Sequence, residues 1–235
     1  MNWKDIKTTQ DNTSFLYNEN ILFSRKFIEV LKFHAPGLAP VLDESGAYHI
    51  TTEGEPLYPY RYKRTFGFYD NRATVIDIND NWFHINEKGE RVYSKDFLWA
   101  GNYQENCCPV RDKDNKYYHI DLLGNRIYSK EYTYVGDYKD GIACVRLYSG
   151  FFMHINLQGD YINNKQFIDL GVFHKNFATA RDSKGWFHIN KEGEALYKDR
   201  YLLIEPFYNG YAIVTDFEYK KKIINEKGEI IFVIS

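Results

Sequence analysis

Nothing in this chain of 235 residues approaches the roughly 18 consecutive apolar residues that a membrane-spanning helix needs. Charge of one sign is equally lacking. Lysine and arginine number 30 against 32 aspartates and glutamates, a net charge of −2, so no global field steers the protein toward nucleic acid or a lipid surface. Neither is expected as a partner. Cysteine is scarce: Cys107, Cys108 and Cys144 are odd in number and lack zinc-type spacing, which indicates free, packed thiols in a reducing compartment and no metal site. Met1 to Asn20 are polar, without the basic start, apolar run and small-residue cleavage site of a secretory signal, so the expected location is the cytoplasm. Glycine-rich phosphate loops, nucleophile elbows and flanked carboxylate pairs are absent as well. No catalytic residue and no cofactor is therefore assigned, and the expectation is a protein that is not an enzyme.

What the chain does have is aromatic residues, 18% of the total, with 21 tyrosines and 17 phenylalanines. These residue types favour half-buried pleated surfaces and point to β structure. A fixed period then appears: His49, His84, His119, His154 and His188 are spaced by 35, 35, 35 and 34 residues, each followed by isoleucine, and Ile223 holds the slot in a sixth copy. Around this position short apolar and aromatic runs such as Phe83-His84-Ile85-Asn86 read as strands. Each run ends in Thr, Asn or Asp, followed three residues later by Gly54, Gly89, Gly124, Gly159, Gly193 or Gly228, which is the chemistry of a tight turn. A further strand closes on Tyr58, Tyr93, Tyr128, Asn163, Tyr197 and Phe232, so only the fourth copy breaks the aromatic rule.

A second turn precedes each histidine strand at Gly37, Asn71, Asn106, Gly141, Asn176 and Gly210, residue types that accept a left-handed backbone most cheaply, so φ > 0 is expected at all six. A small residue and then, in five of the six copies, a branched one follow at alternate positions (Ala39/Val41, Ala73/Val75, Cys108/Val110, Ala143/Val145, Ala178/Ala180, Ala212/Val214), the pattern of a strand packed closely on a neighbour. With an extended piece before that turn, each repeat holds four short strands. The ambiguous stretch is Ser24 to Phe33, which could hold a turn or two of helix.

These residues resemble the bacterial WG repeats, whose units read aromatic-x-x-G-x-A-x-V and then W-G-[FY]-I-D-x-x-G. Gly141-Ile142-Ala143-Cys144-Val145 and Gly185-Trp186-Phe187-His188-Ile189-Asn190-Lys191-Glu192-Gly193 carry the resemblance best, and it spans about residues 30 to 232. The glycine of the Trp-Gly pair is replaced by Phe83, Tyr118 and Phe187, with histidine in the next aromatic slot, which marks a divergent branch. The resemblance implies repeat identity and no shared activity.

A unit of this size cannot bury an apolar face alone, so the expected fold is all-β, six tandem repeats of about 35 residues packed as a propeller-like ring. An open β-solenoid is the alternative. Residues 1–29 read as a lead-in and 30–235 as a single six-repeat domain.

Three sets of residues are candidates for function. The histidine column, His49, His84, His119, His154 and His188, could converge on an anion or metal, but a buried neutral imidazole bonded to the next repeat explains the recurrence better. Arg111, Arg146 and Arg181 occupy one position in three consecutive repeats, where the other copies hold Leu42, Ile76 and Thr215. A patch confined to adjacent copies suits a binding surface, and the guanidinium fork suits carboxylate or phosphate. Asp112 and Asp182 could instead neutralise it as weak surface pairs. Trp99, Tyr103 and Tyr138, with Tyr134, Phe207 and Tyr208, could form an aromatic edge, or pack between repeats. The expected role is a scaffold for a protein partner, using the arginines with Trp99, Tyr103 and Tyr138. A glycan or small acidic ligand is the alternative, and an enzyme using the histidine column, with or without a metal, is the third reading.

Overall fold

A computed structural model describes residues 1–234. It is all-β: among the described residues the one helical element is a single 3-10 turn at Trp3–Asp5, and Ser24 to Phe33 holds no helix but the short strand Glu29–Val30. Residues 7–21 form a small antiparallel sheet of their own, and each of the six repeats follows with one more. The first is Glu29–Val30, Ala39–Asp43 and Gly46–Ile50, and the second Arg64–Tyr69, Arg72–Ile76 and Trp82–Ile85. The fourth is Tyr134–Val135, Ile142–Arg146 and Phe152–Asn156, and the fifth Asp169–Leu170, Ala178–Asp182 and Gly185–Ile189.

The chain divides into two compact units, Met1–Asn115 with His119–Arg126, and Lys116–Tyr118 with the residues from Ile127 onward. The division runs through the third repeat's strand Tyr117–Ile120.

Among the described residues the fourth strand expected in every repeat forms as a ladder only in the sixth, Ile230–Val233. Elsewhere the chain after the Asn-x-x-Gly turn touches the histidine strand through isolated bridges, Ile50↔Pro56, Ile85↔Arg91, Ile155↔Tyr161 and Ile189↔Ala195. It then bulges outward and returns at Ala47↔Tyr62, Trp82↔Phe97, Phe152↔Phe167 and Trp186↔Tyr201. The bulge carries the repeat's tyrosine inward. Tyr58 lies against Gly89 and Tyr197 against Gly228, so closely that a Cβ on either glycine would sit 2.6 Å from the ring. Those two glycines also adopt φ of +75° and +80°, so both conformation and space require them.

The second turn holds φ > 0 at Gly37, Asn71, Asn106, Gly141 and Gly210. Asn176 departs from the expectation, because the left-handed residue there is its neighbour Lys175 at φ 59°. In the second, third, fourth and sixth hairpins the preceding residue, Asp70, Glu105, Asp140 or Asn209, is left-handed too. Two consecutive positive φ angles are what a twisted two-residue hairpin demands, and composition alone does not say which of the two positions a given copy relaxes.

Strand alternation gives each sheet two dissimilar faces. One carries the small and branched pairs together with the isoleucine after each histidine. Ala39, Val41, Ile50, Ala73, Val75 and Ile85 are all almost fully buried in the first unit, as are Ala180, Ile189, Val214 and Ile224 in the second. The opposite face carries the histidines, cross-strand from Pro40, Thr74, Cys144 and Thr179. Within the first unit the histidine face of one sheet meets the next repeat: the Thr74 hydroxyl donates to the Gly101 carbonyl at 2.6 Å.

Candidate functional site

The histidines form the joints between repeats. His49 Nε2 lies 2.7 Å from the Phe66 carbonyl, His84 Nε2 3.0 Å from Gly101, His154 Nε2 2.8 Å from Gly171 and His188 Nε2 2.9 Å from Glu205, each 17 residues on. A carbonyl only accepts, so Nε2 carries the proton and Nδ1 is the acceptor. Tyr58 and Tyr197 donate their hydroxyls to His49 and His188 Nδ1 at 2.5 Å, and Tyr93 donates to His84. An aromatic ring of the next repeat covers each imidazole: Phe68 over His49, Tyr103 over His84, Phe173 over His154 and Phe207 over His188. Burial is the leading cause that pushes all four down to about pKa 4, so they are neutral at pH 7. His119 is fully buried as well.

The fourth repeat lacks the tyrosine, and there the joint is incomplete. Asn163 turns its amide to the Lys191 carbonyl at 3.0 Å, and His154 Nδ1 is buried without a hydrogen-bond partner among the described residues.

The aromatic candidates separate by burial. Tyr103 and Tyr138 do not lie on an exposed edge: they are 1% and 2% accessible, and their hydroxyls donate to the carbonyls of Asp121 and Asn156. The Tyr103 ring belongs to the His84 joint and Tyr138 is buried beneath its own hydrogen bond, so the exposed edge assigned to them is corrected. Phe207 is buried as well, whereas Tyr134 and Tyr208 are exposed and Trp99 is half-buried.

The arginines lie at strand ends on the histidine face, at the margin of the sheets. Arg111, half-buried, stands cross-strand from Trp99 in the first unit. In the second unit Arg146 is exposed between Tyr134 and Phe152 in the register, with its guanidinium 5.6 Å from the Phe152 ring centre and Nε donating to the Gly150 carbonyl at 3.2 Å. Arg181 is exposed between Asp169 and Trp186, and its side chain makes no ion pair or hydrogen bond among the described residues. The adjacent acids have other partners: Asp112 pairs with Arg126 at 3.2 Å and Asp182 with Arg200 at 2.9 Å.

A second set of arginines escaped the sequence reading. Arg61, Arg91 and Arg200 place their guanidinium groups 3.8, 3.9 and 3.6 Å from the ring centres of Tyr48, Phe83 and Phe187, sealing the outer ends of the core by cation–π contact. Arg91 reaches its ring from a different offset than the other two, so no fixed spacing announces the set.

The thiols are buried and unbridged. Burial, with Glu105 and then Asp70 adding to it, raises Cys107 to about 11; burial and then Asp169 raise Cys144 to about 12. Both are held as protonated packing groups. No cluster of three or more His, Cys, Asp or Glu side chains able to hold a metal occurs among the described residues, and no helix there is long and apolar enough to cross a membrane.

Residues 120–149 match the family described as the WG containing repeat. This stretch is a WG repeat. The period extends the same spacing to the copies on either side, while no curated protein sequence matches significantly. Among solved structures the chain is similar to one titled the eukaryotic initiation factor (TM-score 0.62, 12% identity, covering 98% of this chain and 72% of that one). It is also similar to the computationally designed Ika8 protein (0.57, 10%, 97% and 82%) and to BamB from Moraxella catarrhalis (0.53, 12%, 98% and 87%). At these identities the likeness concerns the fold alone, which is all-β with small antiparallel sheets and propeller-type neighbours.

Proposed function

We propose that this WG-repeat chain is a non-enzymatic scaffold that binds a protein partner through the sheet margin bearing Arg146 and Arg181. The observation that carries the reading is the pair of exposed guanidinium groups at one position of consecutive repeats, each cross-strand from an aromatic ring, with Arg181 lacking an ion pair. An arginine held beside Phe152 or Trp186 offers a charged fork and an apolar wall together. That combination suits an acidic segment that also carries an apolar or aromatic side chain. Trp99 and Arg111 repeat the relationship in the first unit. The buried, protonated thiols are consistent with a reducing, cytoplasmic setting.

The test is replacement of Arg146 and Arg181 by alanine, singly and together, with folding followed by circular dichroism. Both side chains are exposed strand-end groups, so the fold should survive, while capture of a partner from lysate should fall at least tenfold in the double variant and recover at low salt for the single ones. Undiminished capture by the folded double variant would refute the assignment.

A further inference from the structure

Two departures from the repeat pattern meet at one place in the first unit. The position two residues before each histidine holds a ring in Trp82, Tyr117, Phe152 and Trp186 and a long side chain in Lys221, but in the first repeat it is Ala47. In the second repeat that ring fills the sheet margin, Trp82 stacking on Phe66 at 5.6 Å and lying 6.4 Å from Trp99. With a methyl group in its stead, the space between the first and second sheets stays open as a cavity of about 130 Å³, lined by Leu31, Pro40, Leu42, Ala47, Thr65 and Phe66.

The second departure is Thr65. It stands cross-strand from Val75, at the position held in sister repeats by Val30, Ala100, Val135, Leu170 and Ile204, all apolar. Thr65 is 7% accessible, it lines the cavity, and its hydroxyl has no hydrogen-bond partner among the described residues. A buried hydroxyl without a partner is costly, and a repeat that had no use for it would keep the apolar residue of its sisters. Glu29 and Arg64, paired at 2.7 Å and both well exposed, also line this space and can swing aside at little cost.

We infer that this cavity binds a small phenolic molecule: one six-membered aromatic ring carrying a hydroxyl that pairs with Thr65. Size supports a single ring, since apolar cavities of roughly 150 Å³ take up benzene. Shape supports a flat one, because the slot is the place a planar side chain fills in four sister repeats. Among the described lining residues Thr65 carries the unpartnered polar group, the exposed Arg64 and Lys63 being paired with Glu29 and Asp80, and it sets the chemistry: a sugar would bury several hydroxyls against one threonine, and a carboxylate would have to draw those cations from their partners to offset the hydration lost beside Leu31, Pro40 and Leu42.

The probes are phenol, toluene and N-acetyl-tyrosinamide, read by calorimetry and by the shift in melting temperature. Wild type should bind phenol, and Ala47→Trp, which restores the sister residue, should stay folded and lose at least tenfold in affinity. Ala47→Leu, a smaller plug, should lose affinity as well should the tryptophan variant fold poorly. Thr65→Val should weaken phenol about tenfold while leaving toluene unchanged. Phenol affinity undiminished in a folded plugged variant, or no phenol binding by wild type, would overturn the site. Equal affinity of wild type for toluene and phenol would overturn the role of Thr65. Tighter binding of the tyrosine amide than of phenol would overturn the free molecule in favour of a partner's side chain.

Discussion

Acidification from pH 7 to pH 5 should remove most of the stability of this fold, through the histidine joints. His49, His84, His154 and His188 have folded pKa values of about 4 against 6.5 for the free side chain. The folded state therefore binds fewer protons than the unfolded chain between those values. Stability is complete above pH 6.5 and is lost as the pH falls toward 4. Each such histidine gives up just under about 2 kcal/mol between pH 7 and pH 5, so four together give up about 7 kcal/mol. Domains are typically stable by only about 5–15 kcal/mol. Near pH 5 the unfolding free energy should fall by about 5 kcal/mol per pH unit, the signature of between three and four protons taken up on unfolding. Urea denaturation at half-unit pH steps measures that slope, and imidazole nitrogen shifts of the native protein should report the Nε2–H tautomer down to pH 5. A slope below about 1 kcal/mol per unit across this window, or native histidines titrating near 6.5, would refute the buried-joint account. The carboxylates act lower. Burial raises Asp43, but hydrogen bonds from Ser45 and Tyr48 outweigh it and hold the group below the ordinary range, so its contribution fades only beneath that of the histidines.

Three further outcomes follow from the same joints and turns. Tyr197→Phe should destabilise by about 1–3 kcal/mol in chemical denaturation, since His188 Nδ1 loses its donor while the ring stays packed. Asn163→Tyr should go the other way, gaining about 1 kcal/mol by supplying His154 Nδ1 with the hydroxyl that sister repeats provide, seen as a raised melting temperature. Gly89→Ala should cost about 2–4 kcal/mol, combining left-handed strain with a clash against Tyr58, and should be relieved in part by Tyr58→Ala.

Much of this was legible in the sequence because it is written six times. The period, the turn residues and the two-faced strand pattern each recur at fixed positions. The joint itself was visible in a correlated change: where Ile223 replaces histidine, Phe232 replaces tyrosine, so the hydroxyl vanishes with the group that accepts it. The sequence was silent wherever a residue's meaning lay in its orientation. Tyr103 and Tyr138 look like edge aromatics until the packing buries both, Tyr103 against the His84 imidazole and Tyr138 with its hydroxyl on the Asn156 carbonyl. Arg61, Arg91 and Arg200 do one job from unequal spacings. The cavity at Ala47 arises from two residues that are ordinary alone and anomalous only against their sister copies.

The reach from imidazole to the next repeat's carbonyl is 17 residues for His49, His84, His154 and His188 alike, whereas the hairpins before the histidine strands vary. Asp43 meets Gly46, and Asp182 meets Gly185, across two-residue loops, while Asp77 bonds Asn81 around a longer one. Gains and losses of single residues have thus been absorbed at the hairpin tips, outside the linkage that fixes one sheet to the next. The molecule behaves as a rack whose mounting holes are at a fixed pitch and whose shelves can be exchanged. A foreign peptide spliced in at Ile78 to Asp80 should be displayed without disturbing the frame, and a one-residue insertion between His84 and Gly101 should dismantle it.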